Sequence, residues 1–183
     1  MANDIVSIPP QVAVGFPQTR LRRLRYHPRV RELVRETRLV PSNLILPLFV
    51  RGGRNVRQEI SSMPGNFQLS LDQLAIEAKS IAGLGLGGII LFGIPDEKDA
   101  EGAEACSDEG IIAQAVRTVK DAAPDLLCIT DVCFCEYTEH GHCGVLNDVS
   151  GRLDVDNDAT LAMLGRQAVC HAQAGADLVA PAA

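Results

Sequence analysis

Five side chains that could bind a metal or react as nucleophiles lie within a short segment of this 183-residue chain. The segment is DVCFCEYTEHGHCGV, residues 131–145, and its candidate side chains are Cys133, Cys135, His140, His142 and Cys143. Such a group could bind a zinc ion, form a disulfide or supply a cysteine nucleophile. The spacing of the cysteines helps to decide among these possibilities.

The C-x-C-x7-C spacing favours a metal site with an open position. Structural zinc sites use four ligands, often from paired C-x2–4-C knuckles, whereas this segment offers three cysteines. The fourth position would be free for water or substrate, unless His140 or His142 occupies it. Soft sulfur ligands select zinc over magnesium. A disulfide between Cys133 and Cys135 would close a small, strained ring, and a Cys–His nucleophile would leave two cysteines unexplained.

The cysteine segment begins at the end of an apolar run, residues 125–133, that predicts a buried strand. Side chains alternate between the faces of a strand, so Asp131 and Cys133 share one face, and Cys135 continues it if the backbone stays extended. Parallel α/β folds place their sites at the carboxyl ends of strands, where Cys133 lies. Three further cysteines are expected to be unliganded small residues, namely Cys106, Cys128 and Cys170.

Apolar runs alternate with segments of helical periodicity along the rest of the chain. The predicted strands are residues 43–50, 87–94, 125–133 and 176–181, and the predicted helices are residues 70–81, 107–123 and 157–175. This order predicts an α/β fold with a parallel sheet covered on both faces. Both a small doubly wound sheet and the first half of a (β/α)8 TIM barrel fit, and the last apolar strand at the end of the chain favours the half-barrel.

Local signals set the expected helix ends. Ser70 and Gln73 form a capping-box pattern, and the segment 107–123 has acids in its first turn, where the helix macrodipole favours them. The segment GLGLGG, residues 83–88, precedes a predicted strand, whereas a dinucleotide-binding fingerprint follows one. It therefore predicts a helix end and a tight turn.

Charge is concentrated near the amino terminus. Eight arginines lie between Arg20 and Arg38, although the whole chain has a net charge of −6. Nucleic acid binding is disfavoured, because Tyr26 is the one interleaved aromatic residue. Contact with an acidic neighbouring subunit, or solvated helix faces, explains the arginines better. No apolar run is long enough to span a membrane, and residues 1–18 lack a secretory signal, so we expect a cytoplasmic protein.

Several segments together resemble the zinc-dependent form of the porphobilinogen synthase (5-aminolevulinate dehydratase) family. They are TRLRRLR, LILPLFV, ISSMPG, LFGIPDEKDAEGAEA, TDVCFCEYTEHGHCGV, DNDAT and AGADLVAP, in the family's order. The resemblance implies a TIM barrel, of which residues 41–183 would be the first four β/α units. Residues 1–40 would be the arm that embraces a neighbouring subunit, usually in a homo-octamer.

The resemblance also implies a function. The family condenses two molecules of 5-aminolevulinate into porphobilinogen in tetrapyrrole biosynthesis. Cys133, Cys135 and Cys143 would hold the catalytic zinc, and Asp131 would line the active site beside it. Magnesium-type members carry aspartates in this loop, so the cysteines indicate the zinc type.

The chain departs from the family pattern in its lysines. The family uses two lysines that form Schiff bases on later strands, whereas this chain has only Lys79, Lys98 and Lys120. Lys79 and Lys120 are expected on solvated helix faces, and Lys98 lies in a loop that matches none of the family's lysine motifs. We therefore expect a truncated, N-terminal half that is inactive alone. The alternative function is a non-catalytic zinc-binding module that associates with full-length subunits.

Overall fold

The computed structural model describes residues 15, 22–149 and 151–182. The chain divides between Leu39 and Val40 into two units. In the first unit, helix α1 (Pro28–Leu33) begins after His27, whose Nδ1 accepts a hydrogen bond from the backbone N–H of Arg29 at 3.2 Å. Helix α1 buries no side chain. The role of this segment as an arm stays a prediction.

The second unit contains one large sheet and a small hairpin. In chain order the strands are β1 (Ile45–Arg51), β2 (Arg57–Glu59), β3 (Phe67–Leu69), β4 (Gly88–Ile94), β5 (Cys128–Val132), β6 (Leu146–Asn147), β7 (Asp154–Val155) and β8 (Leu178–Pro181). The large sheet has the order β2-β3-β1-β4-β5-β8, and β6 pairs with β7. Strands β1, β4, β5 and β8 are successive parallel neighbours, whereas β2 runs antiparallel to β3.

Three helices cover one face of this sheet. They are α2 (Leu71–Ala82), α3 (Ile111–Ala122) and α4 (Asn157–Ala174). Their apolar side chains share a single core with alternate strand residues such as Val50, Leu91 and Val132. The intervening strand residues are half-buried, and on that side Phe49 and Phe92 stack with ring centroids 5.5 Å apart. A doubly wound sheet has helices on both faces, so the one-sided cover is that of a barrel wall.

Helix α3 begins later than the sequence predicts. Residues 107–110 form a turn closed by the Gly110 N–H and the Ser107 carbonyl oxygen at 2.9 Å. The helix then begins at Ile111, whose N–H donates to Glu104 Oε1 at 3.1 Å. The acids at 108–109 consequently precede the helix, and the expectation of acids in its first turn is wrong. A carboxylate from the preceding turn caps the helix instead.

Helix α2 begins where it is predicted, but the capping box does not form. Ser70 Oγ donates to Asp72 Oδ1 at 2.6 Å and accepts from the Val56 N–H at 2.9 Å. Gln73 Nε2 donates to Asn55 Oδ1 at 2.9 Å. Both box residues are thus used to hold the segment before β2 against the helix. This contact is distant in sequence and has no local signal.

The glycine-rich segment 83–88 ends helix α2, as predicted. Gly83 is the C-cap residue, and Gly85 has a φ of 67°, in the left-handed region that favours glycine. Among the helices in the described ranges, none is both long and apolar enough to cross a lipid bilayer.

Candidate metal centre

Strand β5 places Asp131 and Cys133 at the carboxyl edge of the sheet. It lies between β4 and β8 and is parallel to both. Cys133 follows the last strand residue and is 5% exposed, and Asp131 is half-buried. One carboxylate oxygen of Asp131 and the Cys133 Sγ lie within 4.8 Å of each other. The alternation of side chains along β5 therefore brings these two groups together, as predicted.

The backbone turns immediately after Cys133 instead of staying extended. The N–H groups of Tyr137 and Thr138 both donate to the carbonyl oxygen of Phe134, at 2.9 and 3.0 Å. The Phe134 side chain is fully buried and anchors the turn in the core. Cys135 was expected to continue the strand face only if the backbone stayed extended, and the turn means that it does not. This turn, not strand geometry, carries Cys135 beside Cys133.

The following loop brings Cys143 back to the same place. Thr138 Oγ1 donates to the carbonyl oxygen of His142 at 2.9 Å, which closes the loop from within. Just beyond Cys143, the Val145 N–H donates to Thr160 Oγ1 in helix α4 at 3.1 Å. The backbone is therefore held on both sides of Cys143, by Thr138 within the loop and by Thr160 of helix α4.

The three sulfur atoms meet at contact distance. Cys133 Sγ lies 3.3 Å from Cys135 Sγ and 3.1 Å from Cys143 Sγ. All three fall within 4.8 Å of one another. Zn–S bonds of about 2.3 Å in a tetrahedral site place sulfur atoms about 3.8 Å apart. A zinc ion would therefore fit after the thiols separate by roughly half an ångström, and the soft donor set suits it.

Burial favours the protonated form of the Cys133 and Cys135 thiols. It raises the pKa of Cys133 and of Cys135, and for Cys135 hydrogen bonds to Cys133 and Glu136 add to this effect. Burial also raises the pKa of Asp131 to about 6, with a smaller contribution from the negative charge of Glu136. A bound cation would stabilise the negative charges of the neighbouring Asp131 and Glu136 carboxylates.

Neither histidine of the loop joins the sulfur cluster in the described part of the chain. His140 Nδ1 accepts from the His142 N–H at 3.1 Å, and His140 Nε2 lies 3.3 Å from the Ala100 carbonyl oxygen. Both ring nitrogens of His140 are therefore engaged, one within the loop and one with the segment that follows β4. His142 is exposed. This arrangement supports a three-cysteine site with an open position.

The remaining cysteines lie apart from the cluster. Cys128 is fully buried. Cys170 Sγ lies 3.6 Å from Asp108 Oδ1, and Cys106 Sγ lies 3.7 Å from the Met163 carbonyl oxygen. None of the three belongs to a potential metal group among the described residues. They pack as small residues, and that they bind no ligand stays a prediction.

One of the three lysines, Lys120, lies in a less exposed environment than the sequence predicts. Lys79 and Lys98 are exposed. Lys120 was expected on a solvated face, but it is half-buried because its Nζ donates to Asp177 and, at 3.2 Å, to the Leu126 carbonyl oxygen. A Schiff-base lysine must be partly neutral and free to react. An ion-paired or solvated ammonium group does not meet that requirement.

Three residues near the cysteines were missed by the sequence interpretation. Glu136 Oε2 accepts from Cys135 Sγ at 3.2 Å, and a Glu136 oxygen lies within 4.8 Å of both Asp131 and Cys133. Thr160 and Gln167 of helix α4 contact the backbone next to Cys143 and Cys133. Thr160 and Gln167 could have been noticed in the sequence, because they are polar residues on the otherwise apolar stripe of a predicted helix.

Comparisons with known proteins agree on one family. The family model described as "Delta-aminolevulinic acid dehydratase" matches residues 18–183. A delta-aminolevulinic acid dehydratase of Halalkalibacterium halodurans is 51% identical over 162 residues, which are 88% of this chain and 48% of that protein. The protein of that name from Synechococcus elongatus is 49% identical over 168 residues, 91% of this chain and 51% of the relative. The chain thus spans about half the length of these relatives.

Two further comparisons concern a shorter relative and a solved structure. The Ruminiclostridium josui delta-aminolevulinic acid dehydratase is 43% identical over 162 residues, 88% of this chain and 77% of that relative. The Toxoplasma gondii enzyme, solved with the reaction product porphobilinogen, superposes with a TM-score of 0.80 at 36% identity. The superposition covers 90% of this chain and 47% of that one, which confirms the α/β fold of part of a TIM barrel. The chain belongs to the delta-aminolevulinic acid dehydratase family.

Proposed function

We propose that this chain supplies the zinc-binding half of a porphobilinogen synthase active site, which condenses two molecules of 5-aminolevulinate. The observation that carries the proposal is the meeting of three cysteine sulfurs beside Asp131 at the carboxyl edge of the sheet. Parallel barrels place their active sites at this edge. The zinc-dependent members of the family resemble the chain at these positions.

In this proposal Cys133, Cys135 and Cys143 would hold the zinc ion, and a fourth position would be left for water or substrate. Zinc would supply Lewis-acid polarisation of a substrate carbonyl or hydroxyl oxygen. Asp131 lines the site and, with a pKa of about 6, can hold or release a proton at its carboxylate near neutral pH. Glu136 adds negative charge beside it.

The covalent part of the reaction needs residues that this chain does not offer. The two Schiff-base lysines implied by the family resemblance are not among its three lysines, which are exposed or ion-paired. We therefore expect these 183 residues to bind zinc without forming porphobilinogen. Appearance of porphobilinogen from 5-aminolevulinate and the purified chain, measured with a pyrrole-specific colour reagent, would contradict this expectation.

Zinc stoichiometry tests the metal assignment. After equilibrium dialysis under reducing conditions, elemental analysis should find about one zinc ion per wild-type chain. The Cys133→Ala, Cys135→Ala and Cys143→Ala variants should lose most of it, because two sulfur ligands do not make a tight zinc site. Cys170→Ala is the matched control and should keep its zinc. Unchanged zinc content in Cys133→Ala would overturn the assignment.

A second candidate function is a non-catalytic zinc-binding module that associates with full-length subunits. The unsuitable placement of Lys79, Lys98 and Lys120 favours it for the chain by itself. Mixing the zinc-loaded chain with a full-length family member and measuring the mass of the assembly separates the two proposals. Incorporation into the assembly supports the module, and independent migration contradicts it.

Location and assembly also belong to this proposal. All six cysteines are free, which supports a reducing compartment such as the cytoplasm. Self-association, up to the homo-octamer implied by the family, would use the arginine-rich segment as an intersubunit contact. The proposal involves neither nucleic acid nor a membrane.

A further inference from the structure

Helix α4 buries a row of polar side chains on the face that packs against β5 and the cysteine loop. Thr160 is 5% exposed, Gln167 is 0% exposed and His171 is 1% exposed. Their spacings of seven and four residues place them on one side of the helix. Buried polar groups are unfavourable unless they form hydrogen bonds, so their partners show what this row does.

At the amino-terminal end of the row, Thr160 holds the segment that follows Cys143. Its Oγ1 accepts the N–H of Val145 at 3.1 Å. The Val145 carbonyl oxygen in turn accepts the N–H of Asp156, the N-cap residue of α4, at 2.7 Å. Gly144 allows the close approach, because a Cβ at that position would overlap the Thr160 side chain. The helix start therefore fixes both backbone groups of Val145.

Seven residues further along the helix, Gln167 holds Cys133 itself. Its Nε2 donates to the Cys133 carbonyl oxygen at 3.2 Å. Its Oε1 is buried and has no hydrogen-bond partner within the described ranges. An apolar side chain would avoid this unpaired oxygen, so core packing alone does not account for a glutamine here. Its donor group reaches the backbone of a cysteine in the sulfur cluster.

We propose that Gln167 and Thr160 are positioning residues that set the distance between Cys133 and Cys143 for zinc binding. The inference rests on the proposed zinc site. Cys133 and Cys143 lie near the two ends of one loop. Helix α4 holds the backbone at Cys133 through Gln167 and just after Cys143 through Thr160. Seven helical residues span about 10 Å, so α4 acts as a fixed spacer for the two sulfur ligands. Residues that orient metal ligands typically contribute 10- to 100-fold to metal affinity.

The first test measures zinc affinity by competition with a chromophoric chelator under reducing conditions. Gln167→Met removes the donor at similar length, and Thr160→Val removes the acceptor at the same shape. Each should weaken zinc binding roughly 10- to 100-fold. Thr160→Ser keeps the hydroxyl and should bind zinc as the wild type does. Wild-type affinity in both Gln167→Met and Thr160→Val would overturn the proposal.

A control variant separates positioning from general destabilisation. Cys170→Ala removes a buried side chain from the same helix, but the Cys170 thiol faces Asp108 and not the sulfur cluster. It should lower the unfolding midpoint and leave zinc affinity unchanged. The Co2+ derivative provides a second measurement, because its thiolate-to-cobalt and ligand-field bands report the geometry at the ion. These bands should shift in Gln167→Met and Thr160→Val, and stay unchanged in Cys170→Ala.

A metal-independent measurement distinguishes failure of this inference from failure of the proposed function. Dibromobimane becomes fluorescent when it links two neighbouring thiols. Because Cys135 also lies beside Cys133, linkage is measured in chains that all carry Cys135→Ala, so that it reports the Cys133–Cys143 pair, and the further change Cys143→Ala gives the background signal. Rapid linkage in these chains, together with no zinc binding by the wild-type chain, would refute the zinc site. In that case, slower linkage in Gln167→Met and Thr160→Val would still support positioning by α4. Equal linkage rates in wild type and both variants would refute positioning.

Discussion

Burial favours the protonated form of two cysteines in the sulfur cluster, Cys133 and Cys135. Cys133 is 5% exposed, and burial is the largest cause of the raised pKa values of both Cys133 and Cys135. A cysteine binds zinc as the thiolate. Zinc binding at neutral pH therefore has to release the protons of these two thiols, which couples metal affinity to pH.

This coupling gives a prediction for zinc affinity. Between pH 6 and 8, the dissociation constant should fall as pH rises, because fewer protons compete with zinc. Each proton released contributes roughly a tenfold change per pH unit, so Cys133 and Cys135 alone contribute roughly a hundredfold change. Isothermal titration calorimetry in buffers of different ionisation enthalpy measures the number of protons released. A dissociation constant that does not vary over this range would contradict the raised thiol pKa values.

At the scale of elements, helix α4 contacts strand β5 through a second buried pair. His171 Nδ1 lies 3.1 Å from Thr130 Oγ1, and His171 is 1% exposed. Burial lowers the pKa of His171 from 6.5 to about 4. The imidazole is therefore neutral in the native state at physiological pH. In the unfolded chain it takes up a proton near pH 6.5.

Acid should therefore weaken the contact between α4 and β5. Above pH 6.5 His171 is neutral in both states and its contribution to stability is complete. As pH falls from 6.5 towards 4, the unfolded state binds a proton that the native state does not, so the free energy of unfolding decreases. The shift to about 4 corresponds to roughly 3 kcal/mol.

The comparison with His171→Gln isolates this effect. Asp131, whose raised pKa of about 6 acts in the opposite direction over the same range, is present in both proteins and cancels. The difference in unfolding free energy between wild type and variant, measured in urea, should change by roughly 3 kcal/mol between pH 7 and pH 4. A difference that is independent of pH would show that His171 takes up its proton equally in both states.

Among the secondary structure elements, those with apolar periodicity could be predicted from the sequence, whereas short strands and helix ends set by distant contacts could not. Strands β1, β4 and β5 and the three helices were predicted because each buries apolar side chains, and apolar periodicity records that burial. Strand β8 was predicted from its apolar run, although none of its four residues is buried. Strands β2 and β3 and the hairpin β6–β7 have two or three residues each, too few to show a period. The later start of α3 depends on Glu104, seven residues before Ile111. Such contacts between distant residues leave no local pattern.

The candidate site likewise contains residues that could be predicted from the sequence and residues that could not. Asp131 and Cys133 could be paired from the alternation of β5, and Cys143 from its place in the loop. Gln167 could not be assigned a role, because its partner is a backbone oxygen 34 residues away. Backbone atoms carry no residue-specific signal. Contacts of this kind become visible when the helix and strand are seen together.

At the scale of the whole molecule, the sulfur cluster and its supports all lie in one unit. The cysteines, the β5 strand and helix α4 belong to residues 40–183, and the division falls between Leu39 and Val40. In the other unit, helix α1 buries no side chain. The unit that holds the cysteines therefore contains every residue that we propose for the zinc site.

Deletion of residues 1–39 tests this separation. We expect the shortened chain to bind zinc with wild-type stoichiometry and to unfold within a few degrees of the parent, because a surface helix contributes little to the core. Self-association should be lost if the arginine-rich segment is the intersubunit arm. Light scattering coupled to gel filtration measures the assembly. A monomeric parent, or an assembly that survives the deletion, would contradict the role of the arm.

The order of the sulfur ligands and their supporting helix along the chain has a consequence for biosynthesis. The cysteines lie between residues 133 and 143, whereas helix α4 runs from Asn157 to Ala174. A chain that emerges from the ribosome thus presents its three thiols before the helix that spaces them has been made. A nascent chain would then hold zinc weakly until residue 167 has left the exit tunnel. Metal loading would become tight at a defined point of translation, set by the emergence of helix α4.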